Sequence, residues 1–274
     1  MPGRLRRVSA LAACLIITTH ALPVVADTPN ATEPDTPTVV PLERAHAHND
    51  YEHTRPLLDA LDQGFCSVEA DVFLVKGELW VAHDLINLRA DRTLEGLYLK
   101  PLLARTQQNG GRVYVNGPPV TLLIDFKSSA DATYDALLPL LEKYRELFKR
   151  GGPIQAIISG NRPFHKVSSN PDRLAYIDGR LGDLDQPGTA DWMPLISDRW
   201  GAHFKWNDEG DLPIDERQKI VTLVEKAHSQ GRRVRFWAIP DKPQAWRTLH
   251  ALGVDLINTD HLAELADELQ KLGN

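Results

Sequence analysis

Three observations predict that this 274-residue chain folds as a single-domain α/β protein, a (β/α)8 TIM barrel. Short apolar runs alternate with amphipathic stretches, as in parallel strands joined by helices. Eight such runs are present, the barrel's number of strands. After the last linker-like segment about 230 residues remain, the usual length of such a barrel.

In chain order, residues 1–26 read as a secretory signal peptide. Arg4, Arg6 and Arg7 form a basic head, Val8 to Ile17 is apolar apart from Ser9, and Val24-Val25-Ala26 offers small residues before a cleavage point. Export to the periplasm or the exterior is therefore expected. A lipoprotein signal at Leu11-Ala12-Ala13-Cys14 is the weaker reading, because its cysteine follows only a short, weakly apolar run. Residues 27–41, "DTPNATEPDTPTVVP", are rich in Pro, Thr and acidic residues without apolar period, and read as a flexible leader. Residues 42–274 form the domain.

The formal net charge is −6, and cleavage would remove three arginines and no acid, so the exported part is a poor match for nucleic-acid phosphates. Cys66 is then the one remaining cysteine, which rules out an internal disulfide, and its setting beside Phe65 and Val68 reads as a buried small apolar side chain. No obligate protein partner is implied.

Strands are expected at 44–48, 67–74, 121–126, 154–159, 174–177, 195–197, 234–238 and 256–259. Helical spacing falls within 56–64, 133–151, 215–231 and 244–253, each ending in Gly, the usual helix stop. The stretch 161–213 is the least regular, with no evident linking helices.

Chemistry in a barrel gathers at the C-terminal ends of strands. There the first run ends in "ERAHAHNDYEH", where alternation puts His46 and His48 on one face and Asn49 follows. In "SVEADVFLVKGELWVAHD", Glu69 and Asp71 are two apart on a strand, so both carboxylates project to the same side. Such a pair repels unless a proton or cation lies between, and one divalent cation with oxygen ligands, Mg2+ or Ca2+, is the simplest solution. Lys76-Gly77 makes a tight turn, and "ELWVAHD" returns as a short strand that brings His83 beside the same mouth. "VTLLIDFKSS" carries a third acid, Asp125, out of an apolar strand, where it would be costly to desolvate without a partner. Lys127 shares its face, placed either to pair with Asp125 or to grip a phosphate, and the second role is preferred.

These segments, "AHAHN", "LLDALDQGFCSVEADVFL", "LWVAHD", "LLIDFK" and "RVRFWAIPDKPQAWRTLHALGVDLINTDH", resemble the glycerophosphodiester phosphodiesterase and phosphatidylinositol-specific phospholipase C-like superfamily. Within it the resemblance is strongest to the bacterial and fungal branch related to altered inheritance of mitochondria protein 6, and runs from about Arg44 to Leu262. The resemblance implies a PLC-like phosphodiesterase barrel and a metal-dependent phosphoric diester hydrolase acting on a glycerophosphodiester or phospholipid-type substrate. It implies a divalent ion on Glu69, Asp71 and Asp125, and His46 and His83 as general acid and base. Lys127 and Trp237 would line the substrate pocket, with His48 and Asn49 helping to position phosphate. The His-Arg-Gly and Glu-Asn-Thr signatures of glycerophosphodiesterases are absent, and Asp125 in "DFK" looks more like the sphingomyelinase D branch.

Two other classes compete. An amidohydrolase-like enzyme would bind zinc through the His46-x-His48 pair with Asp260, drawing on His165 or His203, but leaves the three acids unexplained. A catalytically inactive binding protein would keep the fold without turnover. Trp200 and Trp206, flanking Lys205 in "DRWGAHFKWNDEG", are candidates for a loop that touches substrate or makes transient contact with a membrane surface.

Overall fold

The computed structural model describes residues 39–186 and 188–273; the expected signal peptide, the lipobox cysteine and all but the end of the leader lie outside the described residues. Among the described residues nine strands are formed: β1 (Leu42–Ala47), β2 (Phe65–Val75), β3 (Glu78–Val81), β4 (Val120–Phe126), β5 (Ile154–Gly160), β6 (Ala175–Gly179), β7 (Leu195–Arg199), β8 (Arg233–Trp237) and β9 (Ile257–Thr259). All but β3 pair in parallel, in the order β8-β7-β6-β5-β4-β2-β1-β9. A parallel bridge between Arg235 and Leu256 joins the two ends and closes the barrel. β3 lies outside the ring, folded back on β2 by the two-residue turn at Lys76 (φ 50°) and Gly77 (φ 87°), a left-handed pair that suits a tight hairpin.

The strands are apolar on both faces because helices cover the outside and side chains fill the inside. On the outside, Val68, Ala70, Leu122, Ile124 and Ile158 join the main core with Leu137 and Leu141 of the helix Ala130–Lys143. Inside, Leu123, Ile157, Leu195 and Leu256 form a small apolar plug of their own. Two residues further along each strand the side chain again points inward. Those positions are Asp125, Ser159, Ser197 and Asn258, so a polar layer sits directly above the plug. Two residues below it, Arg233 donates to Thr121 and Gln155 and seals the bottom.

Departures from expectation have local causes. The helix expected through 133–151 starts earlier and breaks at Tyr144, whose φ/ψ of −107°/28° leaves the helical region while its hydroxyl donates to Glu95. Between 161 and 213 the outer layer consists of short turns, Phe164–Ser168, Leu181–Asp185 and Trp200–His203, too brief to show a period. The final helix Leu262–Leu272 buries Leu262, Leu265, Ala266 and Leu269, a helical spacing the sequence reading passed over. Trp200 and Trp206 do not form an exposed loop: both are buried, stacked edge-on with each other and grouped with Phe204 and Phe236. Their indoles belong to the core. Cys66 is free and buried, and burial pushes its thiol up to about 12, as an inert core residue requires.

Candidate active site

At the C-terminal mouth of the barrel lies a cavity of about 410 Å3, walled by polar and charged side chains from most of the strands. Its floor is acidic. Glu69 and Asp71 follow the inward alternation of β2, and Asp125 sits beside Asp71 in the β2–β4 register. One carboxylate oxygen from each of the three lies within 4.8 Å of the other two. Gly160 makes room for this: with φ +65°, a Cβ there would stand 1.9 Å from Asp125 Oδ1 and 2.6 Å from the Phe126 carbonyl.

Each acid is partly satisfied. Glu69 Oε2 accepts from Arg235 Nη2 at 2.6 Å and lies 3.1 Å from His46 Nε2. Lys127 Nζ bridges Asp71 Oδ2 at 2.9 Å and Asp125 Oδ2 at 3.1 Å. Tyr51 OH lies 2.8 Å from both Asp71 Oδ2 and Asn49 Oδ1, and its single proton serves one at a time. What remains is informative: Asp71 Oδ1 and Asp125 Oδ1 are buried with no hydrogen-bond partner. Burial and the nearby Glu69 charge push Asp71 up to about 7 and raise Asp125. Glu69 moves the other way, because Arg235 and His46 outweigh its burial. Three carboxylates with two orphaned buried oxygens form a donor set that fits one hard divalent cation with oxygen ligands.

The histidines divide. His46, expected to transfer a proton, is fully buried and does not line the cavity. Its Nδ1 lies 2.7 Å from Ser67 Oγ and its Nε2 faces Glu69, so both ring nitrogens are committed. Burial, then the Arg235 charge, lowers it to about 3. The two contacts hold the ring beneath Glu69, away from the cavity. His48, expected to help position phosphate, does line the cavity. Its Nδ1 lies 2.8 Å from Asp260 Oδ1, which can only accept, so Nε2 is left for the cavity. Burial opposes a charged His48, but the Asp260 hydrogen bond prevails and raises the imidazole above its ordinary value. Asn49 then turns the chain in the left-handed region (φ 48°), a conformation Asn tolerates, and sets its amide beside the His48–Asp260 pair.

His83 arrives at the same cavity from the hairpin, as expected. It is oriented like His48, with Nδ1 3.0 Å from a carboxylate oxygen, here Asp84 Oδ2. Lys127 and Trp237 also line the cavity. Arg235, Arg180, Tyr51 and Asp260 were not singled out for these roles by sequence reasoning. Arg235 carried a usable signal, since it precedes Trp237 by two on an apolar strand and so must point inward. Arg180 carried none, because it sits in the irregular stretch.

The AIM6-like phosphodiesterase domain matches over residues 35–178, and the glycerophosphoryl diester phosphodiesterase family matches over 233–263. The chain belongs to the AIM6-like phosphodiesterase family. It is 31% identical to altered inheritance of mitochondria protein 6 of Eremothecium gossypii, over 81% of this chain and 68% of the relative. It is 29% identical to the homolog from Arthroderma benhamiae, over 81% and 82% of the two chains. A glycerophosphodiester phosphodiesterase from Agrobacterium tumefaciens shares the fold, with a TM-score of 0.55 at 15% identity, covering 84% of this chain and all of that one.

Proposed function

We propose that this protein is a divalent-metal-dependent phosphodiester hydrolase in which His48 and His83, and not His46, carry the protons. The observation behind this reading is the shared cavity: Glu69, Asp71, Asp125, His48 and His83 all border it, and each histidine has its Nδ1 anchored on a carboxylate. Glu69, Asp71 and Asp125 would hold the ion, which when bound supplies Lewis acidity to a phosphate oxygen.

His48, with its proton affinity raised by Asp260, gives a proton from Nε2 to the leaving alkoxide. His83 removes one from the attacking hydroxyl, so a new phosphorus–oxygen bond forms as the old one breaks and the proton count balances. The nucleophile is either water or a neighbouring hydroxyl of the substrate, the latter favoured by proximity and yielding a cyclic phosphate. Lys127, with two of its three N–H donors on Asp71 and Asp125, offers the third to a non-bridging phosphate oxygen. His46 and Arg235 fix Glu69 from beneath.

The zinc reading has less support. His46 has spent both ring nitrogens on Ser67 and Glu69, and among the described residues the one cluster of three or more potential ligands is the acidic triad. Export rests on the basic and apolar N-terminus, and is tested by sequencing the N-terminus of the secreted protein.

The deciding experiment is hydrolysis of bis(p-nitrophenyl) phosphate and a glycerophosphodiester by purified protein with Mg2+, Ca2+, Zn2+ or chelator. Turnover that depends on Mg2+ or Ca2+ is expected. No turnover with any metal would favour the inactive binding protein, and turnover restricted to Zn2+ would favour the histidine-bound site.

A further inference from the structure

One wall of the cavity has no part in the proton transfers. There Arg180, which follows β6, lays its guanidinium 4.8 Å from the ring centroid of Trp237 at the end of β8. That is cation–π distance, and it occupies an indole face on which a substrate cation would otherwise sit. The other two cations lining the cavity are committed to the acidic floor, Lys127 to Asp71 and Asp125, Arg235 to Glu69.

Arg180 is spent differently. Its Nη1 makes all of its side-chain hydrogen bonds, to Asp178 Oδ2 at 3.0 Å and to the carbonyls of Gly179 and Asp178. Nε and Nη2 have no hydrogen-bond partner among the described residues, although the side chain is only a quarter exposed. Asp178 meets the guanidinium through Nη1 alone, and its two oxygens are shared with the Ser159 and Ser197 hydroxyls, so it leaves the other two nitrogens of Arg180 uncovered. A second guanidinium, Arg162, donates to the Asp178 carbonyl, and Arg180 is close enough for its charge to disfavour a charged Arg162 after burial has done the same. Of the acids nearby, Asp183 is used by the Arg180 backbone N–H and Asp198 lies beside His203, and neither lines the cavity. The wall thus presents a held, cationic donor edge with two free N–H positions, the arrangement that accepts a carboxylate or phosphate.

We propose that the Arg180–Trp237 wall is a head-group subsite selecting phosphodiesters that carry a second anionic group and rejecting those with a trimethylammonium group. This rests on the phosphodiesterase reading, since it names the substrate class of the same cavity. Its physical content is a charge preference: a choline head group meets a guanidinium where an open aromatic face would have attracted it, whereas an anion gains a charge-assisted bond.

The test is a p-nitrophenyl diester series in which the second alcohol is choline, its neutral isostere 3,3-dimethylbutanol, or 4-hydroxybutanoate. Wild type should show kcat/KM rising from cation to neutral to anion, with at least a tenfold span between the ends. Arg180→Gln should collapse that span to within about threefold by raising choline turnover and lowering that of the anionic ester, whereas Arg180→Lys should keep the order with a smaller span. Calorimetric titration with the same three diesters reads the preference even without turnover. Absence of turnover for all three would count against hydrolysis, while the binding order would still decide the subsite. Equal handling of the choline and anionic esters by wild type, or an order unchanged in a folded Arg180→Gln, would overturn the proposal. Should Arg180→Gln fail to fold, Arg180→Lys, and wild type at raised salt where the span should shrink, decide the same point.

Discussion

Gly160 ties the stability of the barrel to the integrity of its acidic floor, and Gly160→Ala tests both at once. A Cβ at this position would meet Asp125 Oδ1 at 1.9 Å, the Phe126 carbonyl oxygen at 2.6 Å and the Phe126 nitrogen at 3.0 Å. The carboxylate can swing away, but the Phe126 carbonyl is held, because it accepts from Asn161 N at 3.0 Å in the β4–β5 ladder. Holding alanine at φ +65° costs about 1–2 kcal/mol, and pushing against the ladder adds a further ~1–3 kcal/mol by analogy with overpacked cores. A total of about 2–5 kcal/mol corresponds to a fall in Tm of roughly 5–15 °C for a domain of this size. Scanning calorimetry without metal measures that fall. Titration with Mg2+ or Ca2+ should then show at least tenfold weaker binding, since the cheapest relaxation turns Asp125 out of the triad. Asp125→Asn should reproduce the loss of binding without the fall in Tm. A Gly160→Ala protein that melts like wild type and binds the ion equally well would refute the reasoning.

Asp50 offers a pH test away from the acidic floor. It is fully buried, and burial pushes it up to about 6, although Leu57 N and Tyr98 OH both donate to its Oδ2. Because its folded value lies above its ordinary 3.8, the stability it contributes is complete below that value and is lost as pH rises through about 6. Urea melts of Asp50→Asn should therefore gain on wild type by about 3 kcal/mol between pH 4 and pH 8, and a constant difference across that range would dismiss the effect. Glu69→Gln should be strongly destabilising in the metal-free protein, by about 3–5 kcal/mol, because it strands the buried Arg235. An unfolding free energy within about 1 kcal/mol of wild type in the same melts would show that Arg235 finds another partner.

The barrel was legible because its strands obey a two-residue alternation under an apolar coat, and each of the eight expected runs overlaps an observed strand. The acidic floor was legible for the same reason: Glu69, Asp71 and Asp125 lie on inward positions, which the pleat alone fixes. Which of His46 and His48 meets the cavity was not. Alternation puts both on one face, and only depth separates them, His46 falling level with Ser67 and Asn258 inside the barrel while His48 clears the rim and reaches Asp260, more than two hundred residues on. The burial of Trp200 and Trp206 was hidden because the segment has no period, so nothing in it revealed that Trp200 packs on Phe204, Phe236 and Trp206. Arg180 escaped for the same reason, lying just past a strand whose surroundings carry no regular pattern.

The most direct measurement compares single-turnover hydrolysis of a simple diester, with saturating divalent ion, by wild type, His48→Asn and His46→Asn. The fall in His48→Asn should be at least a thousandfold in rate with ion affinity kept, as expected for loss of a proton-transferring group, while His46→Asn, which can still hold Glu69, should stay within about tenfold of wild type. The reverse ranking, with His46 indispensable and His48 dispensable, would contradict the placement of the reaction in this cavity.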